Sequence, residues 1–252
     1  MLAGLLSLAC TTRVSEWVLL NALPNQYTLV CFHNGQVAEG LKKENMEVAE
    51  SINSANIQFR TVKRTDVKTP WYGLYYEERL FARYDNPATL KNLTSSPLRQ
   101  KIAAELMSGK LCVMVYLRTD NTEKDEKGIK TLKSTIESSP FGKIIEVVEI
   151  SRNSKEEAHF VSFLLNVEDD LKVINEPMLF GVFGRFKALE PLLGKGITEE
   201  NIGLMIDFLT AECSCLIKDD LPGTDILFTS KWDNPLPALL NILIDANPAL
   251  GE

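Results

Sequence analysis

Cys213-Ser214-Cys215 places two thiols one residue apart, the arrangement in this sequence best suited to chemistry. At that spacing the pair can close into a strained, labile disulfide or offer two soft ligands to copper or zinc. A metal site needs further ligands, and neither His33 nor His159 stands at a familiar spacing from the thiols. The alternative is two ordinary thiols where the last helix passes into a strand at residues 215–217. Cys31 and Cys112 sit inside apolar strand-like runs, where a free cysteine behaves as a small buried hydrophobe. His33 follows the first such run and has the chemistry of an acid, base or ligand, or simply of a loop residue bonded to a neighbouring carbonyl. His159 lies beside a helical core stripe and reads as structural. The aromatic run WYGLYY (71–76) offers a ligand wall, but aromatics favour strands, and core is the better reading.

Several classes of chemistry are excluded. The net charge of -7 and pI near 5.1, with basic residues scattered, leave no stripe for nucleic acid or an anionic membrane. No apolar run is long enough to span a bilayer. GVFGRF (181–186) lacks phosphate-loop spacing, and neither a Gly-x-Ser-x-Gly elbow nor an HExxH pair is present. The odd, irregularly spaced cysteines, Cys10 included, do not form the framework of a small disulfide-stapled domain. No cofactor is called for. The opening MLAGLLSLAC is apolar from Leu2 to Ala9 without a positive n-region. It fits the remnant of an export signal, the favoured reading, or a plain N-terminal helix.

The elements follow from hydrophobic periodicity. A short helix over 11–20 ends at Pro24-Asn25, and residues 27–32 form a buried strand. A charged helix over 37–55 and an alternating strand over 57–63 complete a strand–helix–strand unit. Thr69-Pro70 leads into an aromatic strand and a second strand over 79–84. Ser96-Pro97 starts a helix that Ser108-Gly109 ends. The order then restarts: strand 111–117, lysine-rich helix 123–137, strand 144–150, and a helix from an N-cap at Ser154 through Leu165. Pro177 opens a strand over 178–183, Gly184-Arg185 turns it, and 186–193 returns as its partner. Thr198 caps a helix whose Ile202, Met205, Ile206 and Leu209 make one apolar stripe. Beyond a turn at 219–224 an extra strand is expected over 226–231, and the tail carries an apolar patch, Leu239 to Ile244. The chain thus repeats weakly at about 85 residues. It divides into an N-terminal segment (1–26), a first domain (27–109) and a fuller second domain with a C-terminal extension (110–252).

The stretch from Pro177 to Cys215, with its proline-led strand, Gly-Arg turn, return strand and capped helix, resembles the C-terminal half of a thioredoxin-like domain. The likeness covers 111–215 well and 27–109 less well. It implies an α/β fold of two tandem thioredoxin-like domains, central mixed β-sheets flanked by helices. It also implies a proline beside the active-site loop, cis in that family, although a trans strand start is equally open here. The family's Cys-x-x-Cys is missing: the corresponding positions read His33-Asn34-Gly35-Gln36 and Arg118-Thr119-Asp120-Asn121. The whole chain is also similar to a group of uncharacterised exported bacterial proteins. The resemblance implies peptide contact through the backbone at Glu176 and Pro177 and the loop residues Arg118 and Asp120.

The leading expectation is a non-catalytic binding or scaffold protein with a protein or peptide partner, acting in the periplasm, envelope or outside the cell. A thiol-redox or metal protein working through Cys213 and Cys215 is the alternative, and an enzyme with a pocket between the halves ranks last.

Overall fold

The computed structural model describes residues 13–35, 37–119, 121–212 and 221–229. Two central strands organise it, β1 (Tyr27–His33) and β5 (Cys112–Arg118), each an almost continuous apolar run. A strand apolar on both sides needs cover on both faces and neighbours on both edges. In the first sheet β1 has β2 (Ile57–Lys63) parallel on one edge and β3 (Trp71–Tyr76) antiparallel on the other. β4 (Arg79–Tyr84) closes the order β2-β1-β3-β4. In the second sheet β5 has β6 (Ile145–Ser151) parallel and β7 (Met178–Phe183) antiparallel. β7 then pairs with β8 (Lys187–Ala188) and β9 (Leu192–Leu193), and β10 (Thr224–Asp225) closes the edge beside β8. The fold is therefore α/β with two mixed sheets, and both sheets share one pattern around their central strand. All strands of the first sheet precede Gly109 and all strands of the second follow it.

Six helices complete the described part: α1 (Val14–Asn21), α2 (Glu39–Ile52), α3 (Pro97–Met107), α4 (Thr122–Ser138), α5 (Ala158–Leu164) and α6 (Glu199–Thr210). α1, α4 and α6 cover one face of the second sheet. There Ile129, Leu132, Ile202 and Leu209 meet Met114, Tyr116, Leu179 and Phe183 in one buried cluster. The opposite face carries Val113, Val115 and Phe180, which join α3, α5 and the inner face of the first sheet in a single larger core. Tyr27, Leu29 and Cys31 belong to that core, so the two sheets share buried apolar surface. None of these helices is long and apolar enough to cross a membrane.

Three expectations need correction. Ser154 does not cap a helix: its hydroxyl accepts from the Glu157 amide in a turn, and α5 starts only at Ala158. The return strand over 186–193 is broken into β8 and β9, because Pro191 brings no amide to the ladder. The described extra strand lies earlier and is shorter, at β10, and of the described residues 226–229 only Thr229 makes a bridge, to Ala55. Of the two isomers left open at Pro177, the Glu176–Pro177 peptide is trans, as is every peptide bond among the described residues. The expected strand at 215–217 lies outside those residues, as does the tail patch.

Candidate functional site

The C-terminal end of β5, the first turn of α4 and the start of β7 meet at one end of the second sheet. Antiparallel pairing of β5 and β7 sets Leu117 opposite Met178, so Arg118 and Pro177 emerge side by side. Asn121 caps α4 by accepting from the Lys124 amide at 3.0 Å, which fixes where that helix begins. The ammonium of Lys124 then reaches the Glu176 carboxylate at 2.5 Å, tying the helix to the proline segment. The structure thus brings together Arg118, Glu176 and Pro177. Asp120 lies outside the described residues.

The charges at this end are satisfied internally. Arg118 donates to Glu149 at 2.6 Å and to Glu126 at 2.5 Å, and these two carboxylates hold its guanidinium well above the ordinary arginine range. Burial works to raise the Glu149 carboxyl, but hydrogen bonds from Lys133 and Arg118 win and lower it. Asp125 is buried, and its carboxylate accepts the Thr119 amide at 3.0 and 3.1 Å. The Thr119 hydroxyl donates to Asp125 and accepts the Asn121 amide. On the proline side, Arg152 donates to the carbonyls of Leu171, Lys172 and Ile174, and the Pro177 carbonyl accepts from Gly194 at 2.8 Å. Among the described residues of this group Arg118, Thr119, Asp125 and Glu149 each already have a partner within it.

The matching end of the first sheet differs. His33 is the last residue of β1, and its Nδ1 accepts from the Gly35 amide. Beside it lies an open depression of about 440 Å³ lined by Val37, Lys42, Asn45, Phe59 and Thr61. Beneath, Tyr72 donates to Asn45 and Asn45 to the Cys31 sulfur, a buried polar chain. Burial raises the Cys31 thiol, and raises Cys112 to about 12, so neither is a thiolate at neutral pH.

Cys213 and Cys215 lie outside the described residues, but the chain's approach to them does not. α6 starts beside β9 and Pro177 and runs to the far end of the sheet, where Glu212 bridges Arg13. The described chain therefore stops at the end opposite Pro177 and the 118–121 loop. Among the described residues no three His, Cys, Asp or Glu side chains converge as metal ligands would.

His159 is structural in a way that has a pH signature. Its Nε2 meets the Thr89 carbonyl at 2.9 Å, and the ring packs edge-on to Tyr84. Burial lowers its pKa, with the Arg99 charge adding to the effect against hydrogen bonds from the ring to the backbone of Thr89 and Lys91. A histidine lowered on folding contributes stability above its unfolded pKa of 6.5, lost as pH falls through the folded value. His159→Gln should therefore lose less melting temperature between pH 7.5 and 5.5 than the parent. Identical pH profiles would sink the assignment.

Sequence reasoning missed Lys124, Asp125, Glu126, Glu149 and Arg152. The alternation of 145–151 already marks Glu149 as outward-facing. Its proximity to Arg118, however, depends on the parallel register that sets Tyr116 opposite Glu149. No protein-family model and no curated protein sequence matches the chain.

Proposed function

We propose that the chain is a non-catalytic binding or scaffold protein built from two thioredoxin-like units, residues 27–109 and 110–252, that lack the family's dithiol. The shared strand order of the two sheets supports the tandem reading. So does the proline-led β7 beside the β5–α4 loop. The first unit is the reduced one, since residues 64–70 link β2 to β3 where α5 links β6 to β7.

The observation that carries the non-catalytic reading is the Arg118 loop. A redox loop needs an exposed thiol at a helix N-terminus, where amides and dipole stabilise the thiolate. Here that helix start is occupied by the Asn121 cap, and Asp125, Glu126 and Glu149 hold Thr119 and Arg118. The partner is a protein or peptide meeting the end formed by Arg118, Asp120, Glu176 and Pro177. The trans proline, the Gly194 bond and the Arg152 contacts leave less free backbone there than strand pairing wants, so side-chain contact is the mode proposed. The apolar Leu2 to Ala9 supports a place outside the cytoplasm or at the envelope.

The test is catalysed reduction of a protein disulfide by dithiothreitol, with copper and zinc titrations alongside. The full chain and Cys213→Ser/Cys215→Ser should both give the uncatalysed rate and take up no stoichiometric metal. Turnover or metal uptake that disappears in the double variant would replace this reading with the thiol or metal protein.

A further inference from the structure

Among the described residues helices cover both faces of the second sheet but only one face of the first. The inner face of β1 points Tyr27, Leu29 and Cys31 into the shared core. Alternation turns Thr28, Val30 and Phe32 outward, and register adds Val62 on one side and Tyr75 on the other. Val30 and Phe32 form a small buried cluster with Val67 of the β2–β3 link: Trp71 stacks on Phe32 at 4.4 Å, Tyr75 leans against the same cluster, and the Arg64 guanidinium lies over the Phe32 ring. Gly73 leaves room for this, since a Cβ there would sit 2.8 Å from Tyr75 and 3.1 Å from Trp71. A depression of about 420 Å³ remains over Val30, with Glu77 and Glu78 at its rim. Val62 and Leu80 stand 37% and 51% exposed. Among the described residues no helix packs over this face: the link from β2 to β3 contributes Val67 at the Phe32 end but holds no helix, and Val62 and Leu80 stay open.

The chain itself carries an apolar segment of the right size close by. It leaves the described part at Thr229, at the foot of this same sheet. There the Phe228 amide donates to Asn56, Thr229 bridges Ala55, and Ala55 stands two residues before β2 begins at Ile57. Residues 230–252 follow, and between Pro237 and Pro248 stand Leu239, Leu240, Ile242, Leu243 and Ile244. Leu239, Leu240, Leu243 and Ile244 recur at i, i+1, i+4 and i+5, the spacing of one apolar helical stripe. The connecting residues 230–237 reach about 27 Å when extended. Rounding the edge strand to the outer face needs only about one sheet-packing distance of 10 Å plus part of a strand length. We propose that residues 238–247 of this chain cover the outer face of the first sheet, over Val30, Val62, Tyr75 and Leu80. The proposal does not depend on the thioredoxin-like reading.

Single cysteines at Val62→Cys and Leu80→Cys test this in a chain whose Cys10, Cys213 and Cys215 are serine. Leu204→Cys, on exposed α6, is the control. Maleimide should modify the two sheet positions about tenfold more slowly in the full chain than in a chain ending at Asn234, with the control equally fast in both. Leu243→Asp/Ile244→Asp in the full-length chain should expose them without truncation, so a poorly folding short chain leaves the result readable. Val62→Cys paired with Leu243→Cys should cross-link within one molecule. Equal rates in all chains, or protection that survives the aspartates, overturns the proposal. Protection that rises with protein concentration overturns it in favour of a second copy.

Discussion

Replacing Arg99 with methionine is expected to cost about 3 kcal/mol and, in a chain of this size, roughly 6–12 °C of melting temperature. Arg99 lies in α3 and is fully buried. Its guanidinium donates to the carbonyls of Asn92, Leu93 and Leu227 and to the Ser96 hydroxyl. One planar fork thus holds the entry to α3 and the late segment 226–228 together. Burial lowers its pKa to about 10, against support from the Glu157 charge, so the group is still a cation at neutral pH. Methionine fits the apolar stem but leaves two buried carbonyls, of Leu93 and Leu227, and the part-buried Asn92 carbonyl without that donor, the buried ones each a loss of about 1–3 kcal/mol. Removing a buried charge offsets part of the sum. Arg99→Lys should recover less than half of the loss, since a single ammonium cannot span carbonyls on both segments. Urea unfolding measures both variants. A methionine variant within about 0.5 kcal/mol of the parent would mean that water replaces the fork.

What the sequence disclosed and withheld divides along one physical line. β2 and β7 agree with the residues expected for them, because apolar runs and alternation are local properties. The cap at Thr198 is equally local: its hydroxyl accepts from Asn201. Errors arise where a local signal is overridden by a neighbour. Ser154 has the chemistry of a cap but spends its hydroxyl on a turn. The return strand stops where Pro191 interrupts it. At the candidate site the sequence points to Arg118, Glu176 and Pro177 but not to the carboxylates around them. Glu126 and Glu149 come from a helix and a strand whose placement only the parallel register decides. The isomer at Pro177 is beyond a sequence argument for the same reason. X-Pro isomers differ by only about 0.5–1 kcal/mol, so tertiary surroundings choose between them.

Gly128→Ala should invert the usual rule for a helical glycine. In the middle of α4 such a change ordinarily stabilises by about 1 kcal/mol, since alanine is the better helix former. Here Tyr116 crosses the helix at that position, and its hydroxyl donates to the Asp125 carbonyl at 3.0 Å. A Cβ on residue 128 would lie 2.2 Å from the Tyr116 hydroxyl oxygen and 3.1 Å from the ring carbon bearing it. Tyr116 is fully buried between β6 and β7 and has nowhere to retreat. Overpacking of this kind costs about 1–3 kcal/mol, so alanine should destabilise despite its propensity. Tyr116→Phe alone should cost about 1 kcal/mol for the lost hydrogen bond. It also removes the oxygen that makes the closest clash. The double variant should therefore be more stable than Gly128→Ala alone, a coupling of about 1–2 kcal/mol in favour of the pair. Denaturant midpoints of the four chains give that coupling directly. Additive losses would mean that α4 shifts away from the sheet as a unit, and the Asn121 cap and the Lys124–Glu176 pair would shift with it. A coupled rescue instead shows that contact with Tyr116 sets the height of α4 on the sheet, and with it the position of the charged end at Pro177.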